Sequence, residues 1–161
     1  MHPPCHRLTN DPTRAQPEVT PRPDEGALTI VYAPTLFRKE RMARFLVHIH
    51  TGPENPTKAA LGFLVAATAL KEGHQVDIFL AGDAVLLIGE DALADLEGKG
   101  TGNLGAHFES ISAAGGRFYL SGMSAKARGL NERLLAGKPA EFAMPEVLVR
   151  LAADADVTIS Y

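Results

Sequence analysis

Residues 44–80 read RFLVHIHTGPENPTKAALGFLVAATALKEGHQVDIFL. The first part, 44–50, is rich in residues that suit a pleated, buried surface and is predicted to form a strand. Residues 51–55 contain Gly52 and Pro53 and read as a loop. Asn55 followed by Pro56 marks a helix start. The Asn side chain accepts from the free N–H groups of the first turn, and a proline at the first helical position gives up an N–H that has no partner there. The predicted helix runs to about Glu72 and stops at Gly73. Ala59, Leu61, Phe63, Leu64, Val65 and Leu70 make it apolar around most of its circumference, so two of its sides need cover. A sheet is expected on one side and a neighbouring subunit on the other. Residues 75–80 read as a second strand, ended by Ala81-Gly82-Asp83. Strand, helix, strand is a βαβ unit, which implies a parallel sheet.

The alternation continues to the carboxyl terminus. A short helical piece is expected over 84–88, and the polar, glycine-bearing region 89–105 reads as a loop with one turn of helix near 91–96. Residues 106–114 read as a helix closed by Gly115-Gly116, 117–120 as the third strand, and 121–129 as a turn and short helix. After the Gly137-Lys138-Pro139 turn come a minimal strand at 141–143, a helix over 145–153 and a last strand over 157–161. Five strands alternating with helices predict an α/β fold, a three-layer α/β/α sandwich with a five-stranded parallel sheet.

A length of 161 residues suits one domain with its own core. Residues 1–41 differ from the rest: they hold Pro3, Pro4, Pro12, Pro17, Pro21, Pro23 and Pro34, seven of the 11 prolines, but only Gly26 of the 15 glycines. That composition predicts a disordered, proline-rich extension ahead of a domain at 42–161, with Met42 expected as the natural start. With 45% hydrophobic and 22% charged residues the whole is ordinary for a globular protein. A net charge of -3 gives no electrostatic reason to expect nucleic acid. The longest apolar stretch, Ala59 to Leu70, has 12 residues and is too short for a bilayer. No secretory signal is readable in the first 30 residues, so a cytoplasmic location is expected. The single cysteine, Cys5, leaves no intramolecular disulfide and no multi-cysteine metal site.

In open parallel sheets the working site lies beyond the carboxyl ends of the strands. That rule selects 50–57, 81–84, 121–128 and the segment before Pro145. The first carries His50, Thr51 and the helix start at Asn55; the third carries Ser121, Gly122 and Ser124 over a short helix with Lys126 and Arg128. Helix starts favour anions. Lys126 and Arg128 fit anion contact or a solvated face equally well. Asp83 reads first as a helix cap and second as a general acid or base near Ser121. His48 and His50 point to one face of a strand, the spacing of a zinc or copper pair, but no third ligand is evident; a structural role for His48 and a pocket role for His50 are expected. His107 reads as a surface or interface residue. Ser121 with His50 evokes a nucleophile and base, yet there is no Gly-x-Ser-x-Gly elbow and no orienting carboxylate.

His48-Ile49-His50-Thr51-Gly52-Pro53-Glu54, then Asn55-Pro56-Thr57-Lys58-Ala59-Ala60, Phe79-Leu80-Ala81-Gly82-Asp83 and above all Ser121-Gly122-Met123-Ser124-Ala125-Lys126-Ala127-Arg128-Gly129 resemble the DsrE/DsrF-like family across 42–161. The resemblance implies a five-stranded parallel sheet between helices and assembly into homotrimers or homohexamers. Its sulfur-relay members pass persulfide sulfur through one cysteine at a strand end, the position matching Ser121 here. A hydroxyl cannot replace that thiol, because relay needs a thiolate that forms and releases a sulfur–sulfur bond. Cys5 sits in the proline-rich segment with no element to position it. The expected function is therefore an accessory, oligomeric DsrE-like protein that binds a small anion or a sulfur-relay partner through His50, Thr51, Asn55, Asp83, Ser121, Gly122, Ser124, Lys126 and Arg128. The alternative is a sulfurtransferase or redox relay in intracellular sulfur metabolism. No cofactor, metal or membrane is expected as a partner.

Overall fold

Asn55 caps its helix as the residue order predicts: its Oδ1 accepts the Lys58 N–H at 3.1 Å, and Pro56 takes the first helical position. This helix, α1 (Pro56–Lys71), joins β1 (Arg44–Ile49) to β2 (Gln75–Leu80), and it ends because Gly73 turns left-handed at φ +85°. The computed structural model describes residues 42–161; the expected extension over 1–41, with Cys5 in it, lies outside the described residues. A 3-10 segment (Gly82–Ile88) and α2 (Glu90–Asp95) follow β2. A two-residue ribbon, β3 (Glu97–Gly98) with β4 (Gly102–Asn103), leads into α3 (Leu104–Ala113). Then come β5 (Arg117–Ser121), α4 (Gly122–Ala127), a 3-10 turn (Glu132–Leu135), β6 (Ala140–Ala143), α5 (Pro145–Asp154) and β7 (Val157–Ser160).

Five strands form one parallel sheet in the order β6-β5-β2-β1-β7. The chain steps from β1 through β2 and β5 to β6 in one direction, then returns across the sheet to β7 through α5. Right-handed crossovers require the helices of the outward and return steps to lie on opposite faces, which makes three layers. The two cores follow the period of two along each strand. Val47, Ile49, Ile78, Leu80, Phe118 and Leu120 face α1 and α3, whereas Leu46, Phe79, Tyr119 and Ala143 face Leu151 of α5. The first core holds an aromatic stack, with the Phe118 ring centroid 5.7 Å from Phe63 and 4.8 Å from Phe108. The second is smaller, because a ten-residue helix is its only cover among the described residues.

The differences from expectation have local causes. α3 starts two residues early, at Leu104, because Asn103 caps it by accepting the Ala106 N–H at 3.0 Å. Gly105 then lets α3 press against the Leu93 carbonyl, where any Cβ would clash. A second side of α1 is covered by α3 of the same chain, while Leu61, Leu64 and Val65 stay half-buried. No described helix is long and apolar enough to cross a membrane.

Candidate functional site

Because all five main strands are parallel, the exits of β1, β2, β5 and β6 lie on one edge. Two of those exits, β2 and β5, are stitched by a short relay of hydrogen bonds. The Gly82 N–H, just past β2, donates to Ser124 Oγ at 3.0 Å. The Ser124 hydroxyl donates to Ser121 Oγ at 3.1 Å, and the Ser124 N–H donates to the same oxygen at 3.3 Å. Ser121 therefore serves as the N-cap of α4. Gly82 has φ +58°, and an added Cβ would stand 3.4 Å from the His50 carbonyl, so the β1 and β2 exits meet at that glycine. Gly122 faces the end of β6, its missing Cβ lying 3.6 Å from the Ala143 carbonyl and 3.6 Å from Met144 Sδ.

Asp83 departs from its first sequence reading. It lies inside the first turn of the 3-10 segment, whose N-cap is Ala81 with no side-chain cap bond. The carboxylate instead pairs with Arg128, whose Nε reaches Asp83 Oδ1 at 2.9 Å and whose Nη2 reaches it at 2.5 Å. Arg128 Nη1 also donates to the Ser124 carbonyl at 3.1 Å, so the guanidinium closes α4 onto the β2 exit. The cation anticipated for an anion is thus neutralised within the chain.

Among the anticipated residues, Asp83, Ser121, Ser124 and Arg128 form one bonded network, with Gly122 beside it. The His50 main chain packs against Gly82 beside the network, and the residue is exposed. Asn55 is used up as the cap of α1, Thr51 is half-buried in the loop, and Lys126 is exposed. Two contributors were not anticipated. Gly52 lies so close to Asp83 that an added Cβ would stand 2.6 Å from the Asp83 Cβ, and its N–H donates to Glu54 Oε1 at 2.8 Å. Met123 and Met144, 61% and 52% exposed, flank the serines with apolar surface. All of them fall in the segments that the strand-end rule selects, 50–57, 121–128 and the residues before Pro145, but no signal singles them out within those segments.

Ser121 hydrogen-bonds to Ser124 and not to an imidazole, so no serine–histidine pair exists here. His48 and His50 stack edge to face at 5.1 Å, and among the described residues no group of three or more His, Cys, Asp or Glu is placed to hold a metal. His107 is half-buried, and its Nε2 meets the Thr101 carbonyl at 2.7 Å, which pins the ribbon turn and fixes Nε2 as the protonated nitrogen.

His48 is half-buried beside Phe79, and its Nε2 is buried with no hydrogen-bond partner. Burial, and secondarily the neighbouring His50, lowers its pKa from the ordinary 6.5. The folded state thus favours the neutral ring, and the unfolded chain binds the extra proton first. Stability is fully present above pH 6.5 and is lost as the pH falls from there through the lower folded value. Thermal melts of the wild type should fall over that window, and His48→Leu should flatten this part of the curve; an unchanged slope would contradict the assignment.

Residues 42–161 form an α/β/α sandwich in which a strand-end serine caps a short helix at the exits of parallel strands, and that architecture sets the class of the protein. The chain belongs to the DsrE/DsrF-like family, whose model matches residues 43–161. Among solved structures it is similar to the ychN protein from E. coli, at 17% identity and TM-score 0.60, over 74% of this chain and 100% of that one. It is also similar to BT1422 from Bacteroides thetaiotaomicron, a conserved protein of unknown function, at 13% identity and TM-score 0.54, over 74% of this chain and 95% of that one. At these identities the two likenesses define the fold alone. No curated protein matches the chain.

Proposed function

We propose that this chain is an accessory member of its family, a homo-oligomer that docks a partner at the Ser121 edge and does not itself carry sulfur there. The observation that carries the reading is chemical. The strand-end position matching the relay cysteine holds a hydroxyl already engaged as a helix cap, and residues 42–161 contain no cysteine. A sulfane atom needs a thiolate to accept and release it. The exposed Met123 and Met144 beside Ser121 support docking of a protein surface, since methionine adapts to varied partners. A small free anion would meet fewer donors, because Asp83 neutralises Arg128. The thin cover of the α5 side, with Val149 68% exposed, supports burial against further copies of the chain.

Native mass spectrometry tests the assembly on which this reading depends. A species of three or six chains is expected, in line with closed symmetry. A monomer at working concentration would contradict it.

A further inference from the structure

We propose that a groove between α2 and the segment after α4 docks a basic peptide segment of a partner protein, one that carries a leucine-like apolar anchor. The groove holds about 640 Å³, within the range of specific ligand sites. Pro53, Leu86, Leu96, Leu130 and Leu134 give it an apolar floor. Its rim carries Glu90, Asp91, Asp95 and Glu97, all exposed, and no lysine or arginine lines it. None of these four carboxylates makes an ion pair or side-chain hydrogen bond among the described residues.

Helix stability explains only half of that rim. Glu90 and Asp91 lie in the first turn of α2, where negative charge suits the dipole. Asp95 is the last residue of the same helix, where negative charge opposes the dipole, and Glu97 lies beyond it on β3. The charges also run the length of α2, roughly 8 Å at the helical rise. A single ammonium group reaches one end of such a row, whereas successive lysines or arginines on a chain reach all of it. Complementary charge sets the approach and register of that chain, and the apolar floor takes its anchor. The groove shares no residue with the Ser121 edge, so this inference stands apart from the proposal made for that edge.

The test is fluorescence anisotropy of the full chain with a labelled synthetic peptide of leucines and arginines at helical spacing. Saturable binding that weakens with salt is expected. Affinity should drop about tenfold or more in the Asp91→Lys, Asp95→Lys double variant, and should drop likewise when the peptide's leucines are replaced by serine. The milder Asp91→Asn, Asp95→Asn variant gives the same direction should charge reversal disturb the fold. Absence of saturable binding, or equal affinity in the charge variants, overturns the proposal. Equal competition by an aliphatic monoamine assigns the groove to a small cation and overturns it as well. A changed native mass in either variant assigns the groove to self-association, with the same consequence.

Discussion

Ser121→Cys is expected to let a domain without a cysteine load a sulfane sulfur atom. The new thiol would replace the oxygen that now accepts from the Ser124 N–H and the Ser124 hydroxyl at the start of α4. Donors aimed at that atom stabilise a thiolate over a thiol. The thiolate attacks the outer sulfur of a small persulfide donor, the new sulfur–sulfur bond forms, and the donor leaves as its own thiolate. In a Cys5→Ser background no other thiol competes, since Cys5 is the single cysteine. Intact mass should show one added sulfur atom that a reductant removes, and Ser121→Ala should show none. Failure of the cysteine variant to load would mean that this edge does not admit a donor, and the kinship of the site with a relay position would lapse.

Phe118→Ala is expected to give the largest loss of stability. Phe118 is 1% exposed on β5, an inner strand of the sheet, between Phe63 of α1 and Phe108 of α3. Its removal deletes the ring that joins both helices to the sheet. Substitutions of this kind cost about 3–5 kcal/mol, a large share of the roughly 5–15 kcal/mol that holds a domain folded. Chemical denaturation should show the midpoint falling with little change in slope. Glu109→Ala, on the exposed surface of α3, should stay within about 0.5 kcal/mol. A loss under about 1 kcal/mol at Phe118 would contradict the described packing.

What was legible in the sequence was what is local. Asn55-Pro56 announces α1 because cap and proline are adjacent, and Gly73 announces its end by needing a left-handed backbone. The largely apolar runs of β1, β2 and β5 suit a sheet buried on both faces, and the intervening helices make it parallel. The Ser121 edge was picked out by a separate rule, from strand ends alone. What failed to show depends on residues distant in the chain. Asp83 reads as a cap until Arg128, 45 positions later, is brought beside it. The Ser124 hydroxyl meets the Gly82 N–H across 42 positions. Asn131, whose side chain accepts the Arg133 N–H at 3.0 Å, opens a four-residue 3-10 turn too short to leave a periodicity. The acidic groove was hidden for the same reason: its floor comes from separate segments, and its rim lies in a stretch whose polarity reads as loop.

The most direct test of the non-carrying role is to incubate the wild-type chain with a persulfide donor and measure intact mass before and after proteolytic removal of residues 1–41. The account predicts that 42–161 keeps its unmodified mass, whatever Cys5 does. An added sulfur atom retained on the truncated domain would contradict it.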